Sequence, residues 1–198
     1  MAGHATYAAC QWVVLAVIAR LASTDAVGRF ALGLAVTTPV FLFAGLHLRA
    51  AQATDAARTF AFRDYLGVRL AGMVAALAVT AAIAAAAGYD RETALVVLAV
   101  GLTKAVEGAS DAYYGFLQQH ERMRPIAVSL AARGGLSVAA MAAGLLAGGG
   151  VSLATLAMAA AWALVLLAHD RRAAAPTLRR LGESGTPRLE RRAATRIV

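Results

Sequence analysis

Two stretches of this chain, 70–87 and 126–146, are so apolar that Arg133 is their single charged residue. A helix that crosses the hydrocarbon core of a bilayer needs about 20 mostly apolar residues, and such runs recur along the sequence. They restrict the fold more than any other feature. Of the 198 residues, 60% are hydrophobic and only 15% charged, and the charges are clustered. A soluble domain is nearer half apolar, and the mean hydropathy here is +0.65. The sequence therefore predicts an all-α, polytopic membrane protein, a bundle of about six transmembrane helices. The spans fall at 6–21, 27–48, 65–87, 93–117, 126–146 and 151–168. Pro39 should kink the second, Arg49 should mark its end, and Gly148-Gly149-Gly150 should form a tight turn before the last.

A net charge of +8 and a pI of about 10.7 raise nucleic-acid binding as a first thought. The placement of the arginines points elsewhere. With six spans, one side of the membrane collects Arg49, Arg58, Arg63, Arg69, Arg122, Arg124 and the arginines of the C-terminal segment, against Arg20, Arg29 and Arg91 on the other. This is the positive-inside pattern. It puts both termini in the cytoplasm, requires no nucleic-acid partner and argues against a dual-topology dimer. No Lys or Arg precedes the first apolar segment, so it reads as a retained span rather than a secretory signal. Residues 1–170 form the membrane lobe. Residues 171–198, Arg-rich and interrupted by Pro176 and Pro187, read as a disordered cytoplasmic tail. The longer connection at 49–64 reads either as an amphipathic helix on the inner membrane surface or as an ordinary loop. Gly144 and Gly148 make one small-residue pair, to which only helix packing is assigned.

The fourth span alone carries several charges. Lys104, Glu107, Asp111, Tyr114 and Gln118 are spaced three, four, three and four residues apart, which places them on one helical face. A charge in the bilayer interior is costly and faces the bundle interior or a wet cavity. The stripe is therefore either the polar lining of a transport cavity or an ion-pair cluster that locks helices together. Arg133 on the fifth span is as far as Asp111 from the turn near Arg122. Equal depth suggests an Asp111–Arg133 pair, beside a Lys104–Glu107 contact within one helix. No catalytic constellation accompanies these residues, so an enzyme is not expected. One cysteine, Cys10, rules out an internal disulfide and a Cys-based zinc cluster. His4, His47, His120 and His169 lack metal-ligand spacing, so neither a metal nor a cofactor is expected.

Several short patterns occur in a telling order. Gln11-Trp12, Gly28-Arg29-Phe30-Ala31-Leu32, Pro39, Leu48-Arg49 and Ala53-Thr54-Asp55 resemble the N-terminal region of bacterial polysaccharide flippases. These belong to the multidrug/oligosaccharidyl-lipid/polysaccharide exporter superfamily. Lys104-Ala105-Val106-Glu107, Ser110-Asp111, Tyr114-Gly115, Gln118, Glu121-Arg122-Met123 and Arg133-Gly134 are similar to that family's fourth and fifth helices. The resemblance covers most of residues 6–170. It implies two six-helix bundles around a central cavity, in the bacterial inner membrane, translocating lipid-linked oligosaccharides by alternating access. Lys104, Glu107, Asp111 and Arg133 would line that cavity, where cations meet the substrate's diphosphate or acidic sugars. The sequence ends where the second bundle should begin. Expected partners are thus membrane lipid, the lipid-linked oligosaccharide, and a second six-helix lobe or a second copy. A small membrane scaffold and an inactive fragment are the competing readings.

Overall fold

A computed structural model describes residues 2–55, 57 and 59–183. Among them there is no strand. The helices are α1 (Ala2–Leu21), α2 (Thr24–Ala44), α3 (Leu48–Thr54), α4 (Phe62–Ala86), α5 (Arg91–Gln119), α6 (Met123–Leu146), α7 (Gly150–Val165) and α8 (Arg171–Arg180). A π-helical turn, Leu166–Asp170, joins α7 to α8. Six helical runs are long and apolar enough to cross a membrane.

Polar residues at the turns explain where these helices begin. Ser23 caps α2 by accepting from the Ala26 N–H at 3.2 Å, and Asp90 caps α5 by accepting from the Thr93 N–H at 3.3 Å. The hydroxyl of Thr93 also donates to Asp90 and holds its carboxyl below the ordinary carboxylate value. Between α6 and α7 the chain reverses through Gly148 and Gly150, at φ +76° and +67°, where a side chain would be strained. Gly144 does the packing expected of the small-residue pair. A Cβ there would lie 2.6 Å from the Ala154 Cα, so α6 and α7 touch backbone to backbone. Gly148 belongs to the turn, where a Cβ would meet no atom within 4 Å.

α5 is the most buried of the six candidate spans. It is surrounded by α2, α3, α4 and α7, while α1 lies along α6 and α6 along α7. The main core joins Val14 and Ile18 of α1, Phe30 of α2, Val96 and Val100 of α5, Met141 of α6 and Trp162 of α7. Apolar side chains such as Trp12, Leu42, Phe43, Val74 and Leu164 point outward, whereas Arg69, Arg133 and Asp170 are buried. Apolar outside and ionic inside is the distribution a hydrocarbon solvent favours.

Two expectations need correction. The sequence reads as a disordered tail from residue 171, but Arg171–Arg180 is helical and buries Ala174 and Leu178. These two residues stand one turn apart on an apolar face that finds a site beside Phe62, Tyr113 and Phe116. Pro176 lies inside this helix; residues 184–198 and Pro187 lie outside the described residues. The second span ends at Ala44 rather than residue 48, because Leu46 and His47 adopt left-handed conformations, φ +47° and +49°. Of the two readings of the connection after it, its first part is a helix: α3 packs against α5 and buries Leu48 and Gln52.

The rest of that connection is tied by Asp55. Its carboxylate accepts from the Thr59 N–H at 3.0 Å, the Thr59 hydroxyl at 3.1 Å, the Phe60 N–H at 3.4 Å and the Tyr65 hydroxyl at 3.1 Å. Burial raises the Asp55 carboxyl, but these donors more than offset it and hold it below its ordinary value. Arg58, counted above among the cytoplasmic arginines, lies outside the described residues. Pro39 sits inside α2, which continues to Ala44.

Six candidate spans give a direct topology test. Reporters fused at Gly88 and at the C-terminus should report opposite sides of the membrane, the C-terminal one cytoplasmic, from the arginine asymmetry. Reporters on the same side would refute the span count.

Candidate functional site

A cleft of about 530 Å³ opens between α1, α2, α3, α4 and α5. α5 supplies Lys104, Glu107, Asp111 and Gln118 to it, from about four turns of one face. Arg49 comes from α3 and Arg69 from α4, with His4 and His47 at its edge. Its walls carry three cations (Arg49, Arg69, Lys104) against two carboxylates (Glu107, Asp111), a formal excess of one positive charge.

These charges are paired in two groups. Asp111 bridges two arginines, with Oδ2 at 2.7 Å from Arg69 Nη2 and Oδ1 at 3.3 Å from Arg49 Nη1. The Arg69 guanidinium also donates to the Gly108 carbonyl at 3.0 Å and the Gly45 carbonyl at 2.7 Å. It thus ties α4 to α5 and to the end of α2. In the second group Lys104 Nζ lies 2.8 Å from Glu107 Oε2, as the spacing suggested. The Tyr7 hydroxyl of α1 donates to Glu107 Oε1 at 3.2 Å. Arg69 is 7% exposed and fixed, whereas Arg49 and Lys104 keep more than a quarter of their side-chain surface open.

Tyr114 and Arg133 do not line the cleft. Tyr114 is buried, its hydroxyl 2.7 Å from Ser129 Oγ on α6. Arg133 is 1% exposed and donates to the Ser110 hydroxyl. Its guanidinium carbon lies 5.6 Å from the Tyr114 ring centroid and 5.2 Å from that of Trp162, within cation–π range. The expected Asp111–Arg133 pair is therefore absent. The acid facing Arg133 is Asp170, 1% exposed and 3.7 Å away on the π-helical turn. α5 and α6, although consecutive, touch little. Equal depth on such a hairpin does not bring two faces together.

Sequence reasoning missed Arg69, Tyr7 and Asp170. Arg69 was counted as an arginine of the cytoplasmic side, but it stands within the third span, where an unpartnered charge is costly; that position was a readable signal. Arg49, read as a helix-end residue, is a cleft residue. Pro39 does not line the cleft, though its neighbour Thr38 does. Among the described residues no three His, Cys, Asp or Glu side chains converge as metal ligands would.

The chain is similar to a capsular polysaccharide biosynthesis protein, CapF, of Staphylococcus aureus. The two are 28% identical over 123 residues, which is 62% of this chain and 30% of that protein. The match thus spans under a third of the relative's length. No family model and no solved structure matches the chain.

Proposed function

We propose that this chain acts in polysaccharide biosynthesis, as the N-terminal lobe of a flippase that carries lipid-linked oligosaccharides across the bacterial inner membrane. The supporting observation is the charged cleft, set inside a bundle whose outer surface is apolar. Arg49 and Lys104 are the cations that can change partners. Each is half-buried and held by one carboxylate, and each keeps further N–H donors for an incoming diphosphate or acidic sugar. Arg69 stays in place and positions Asp111. The likeness to a capsular polysaccharide biosynthesis protein agrees with this substrate class. The activity is movement of a ligand rather than a chemical reaction.

One bundle supplies one wall of a cavity. We therefore expect a flippase-deficient strain to be rescued by this chain together with a matching second bundle, or by its self-association, and not by a monomer. In the rescued pair, Arg49→Ala combined with Lys104→Ala should lower transport at least about tenfold, the loss of one or two charge-assisted contacts. Rescue by the monomer would overturn the half-transporter reading. Rescue untouched by the double change would reduce the cleft to an ion-pair cluster that locks helices. Failure of every combination, with the protein well expressed, would favour the scaffold or inactive fragment.

A further inference from the structure

The run from α7 through α8 changes character within one turn. Leu164 of α7 and Leu167 of the π-helical turn are exposed apolar residues, about one turn apart. Beyond the π-helical turn the exposed charged residues are Arg171, Arg172, Arg179 and Arg180. These arginines are not on a loose tail. Ala174 and Leu178 are buried between them, and Arg122 Nη1 donates to the Ala173 carbonyl and the Thr177 hydroxyl, both at 3.0 Å. The helix is held on two sides, so its cationic face has a fixed position.

That face borders a recess of about 420 Å³, where Arg171, Arg172 and Arg179 stand around Tyr113 and Leu167. Glu183 also lines it, and its Oε2 accepts from the Phe62 N–H at 2.7 Å, at the start of α4. The acid is thereby bound to a helix N-terminus, and the arginines face the recess. An occupant must carry a negative group at the arginines and an apolar portion running down Leu167 and Leu164. An anionic phospholipid has both, in that order, and basic recesses at the cytoplasmic ends of membrane helices suit such headgroups.

We propose that this recess is a binding site for an anionic phospholipid of the inner leaflet, its phosphate on Arg171, Arg172 and Arg179 and an acyl chain along Leu164 and Leu167. The site is separate from the charged cleft and does not depend on transport, although it rests on the chain being inserted in a membrane.

The test uses the purified full chain in detergent, with bound lipid counted by native mass spectrometry. The probes are phosphatidylglycerol and phosphatidylcholine with identical acyl chains. Phosphatidylglycerol should be retained at least about tenfold better, as expected for several arginines near one headgroup. Arg171→Gln, Arg172→Gln and Arg179→Gln together should bring the two lipids within about twofold, with helix content unchanged by circular dichroism. Arg91→Gln, at the other end of α5, should leave the preference intact. Equal retention of the two lipids by the wild-type chain would overturn the site, and that comparison needs no variant. So would a preference that survives the triple change. Glycerol phosphate, which has no acyl chain, should not displace the lipid at millimolar concentration; displacement would mean a free-phosphate site and would also overturn the proposal.

Discussion

Replacing Asp170 with Ala should destabilise the lobe by about 3–5 kcal/mol, because it leaves Arg133 charged, buried and without its counter-ion. Both members of this pair are 1% exposed, so water cannot take the place of the lost carboxylate. Arg133 keeps the Ser110 hydroxyl and the Tyr114 and Trp162 rings. These are neutral groups and do not neutralise it. Arg133→Met with Asp170→Leu removes both charges and should recover most of the loss, since apolar residues of similar size often replace a buried pair at little cost. Thermal unfolding in detergent of Asp170→Ala and the double variant measures this. A double variant as unstable as Asp170→Ala would show that the pair is not what holds α6 against the π-helical turn.

The second large effect belongs to Asp111. Asp111→Ala removes the acid shared by Arg69 and Arg49, and we expect a loss of about 2 kcal/mol. The figure is smaller than for Asp170 because Arg69 keeps the Gly45 and Gly108 carbonyls and Arg49 reaches the open cleft. A double-mutant cycle separates the possible partners. Asp111 with Arg69→Ala should couple by about 1 kcal/mol or more, and Asp111 with Arg133→Ala should be additive to within about 0.5 kcal/mol. The reverse pattern would restore the pairing that equal depth suggested.

These two acids mark how far the sequence could be read. The six apolar runs and the Gly-rich turn were legible because length and composition alone decide them. So was the stripe on α5. At about 100° per residue, Lys104, Glu107, Asp111 and Gln118 fall within about 60° of one another, and all four reach the cleft. Tyr114 falls about 60° from Asp111 but only about 40° from Ser110, and it turned inward with Ser110, toward α6. An edge position on a helical wheel takes its side from its neighbours, and these are not written in the helix itself. For the same reason Arg133 had a readable depth but no readable direction. Asp170 stayed hidden because it stands at the start of an Arg-rich stretch that looked unstructured. Only the burial of Ala174 and Leu178 shows that the helix continues past it.

Ser110 and Asp111 are consecutive, yet Ser110 holds Arg133 inside the bundle while Asp111 holds Arg69 and Arg49 in the cleft. α5 is therefore keyed on two sides at one level. A rotation about its own axis that loosened one contact would drag the other away from its partner. Any rearrangement that preserves both must carry α5 and the helices locked to it as a rigid body. The compliant parts are then at the rim, such as α1 against α2, where the packing is thin.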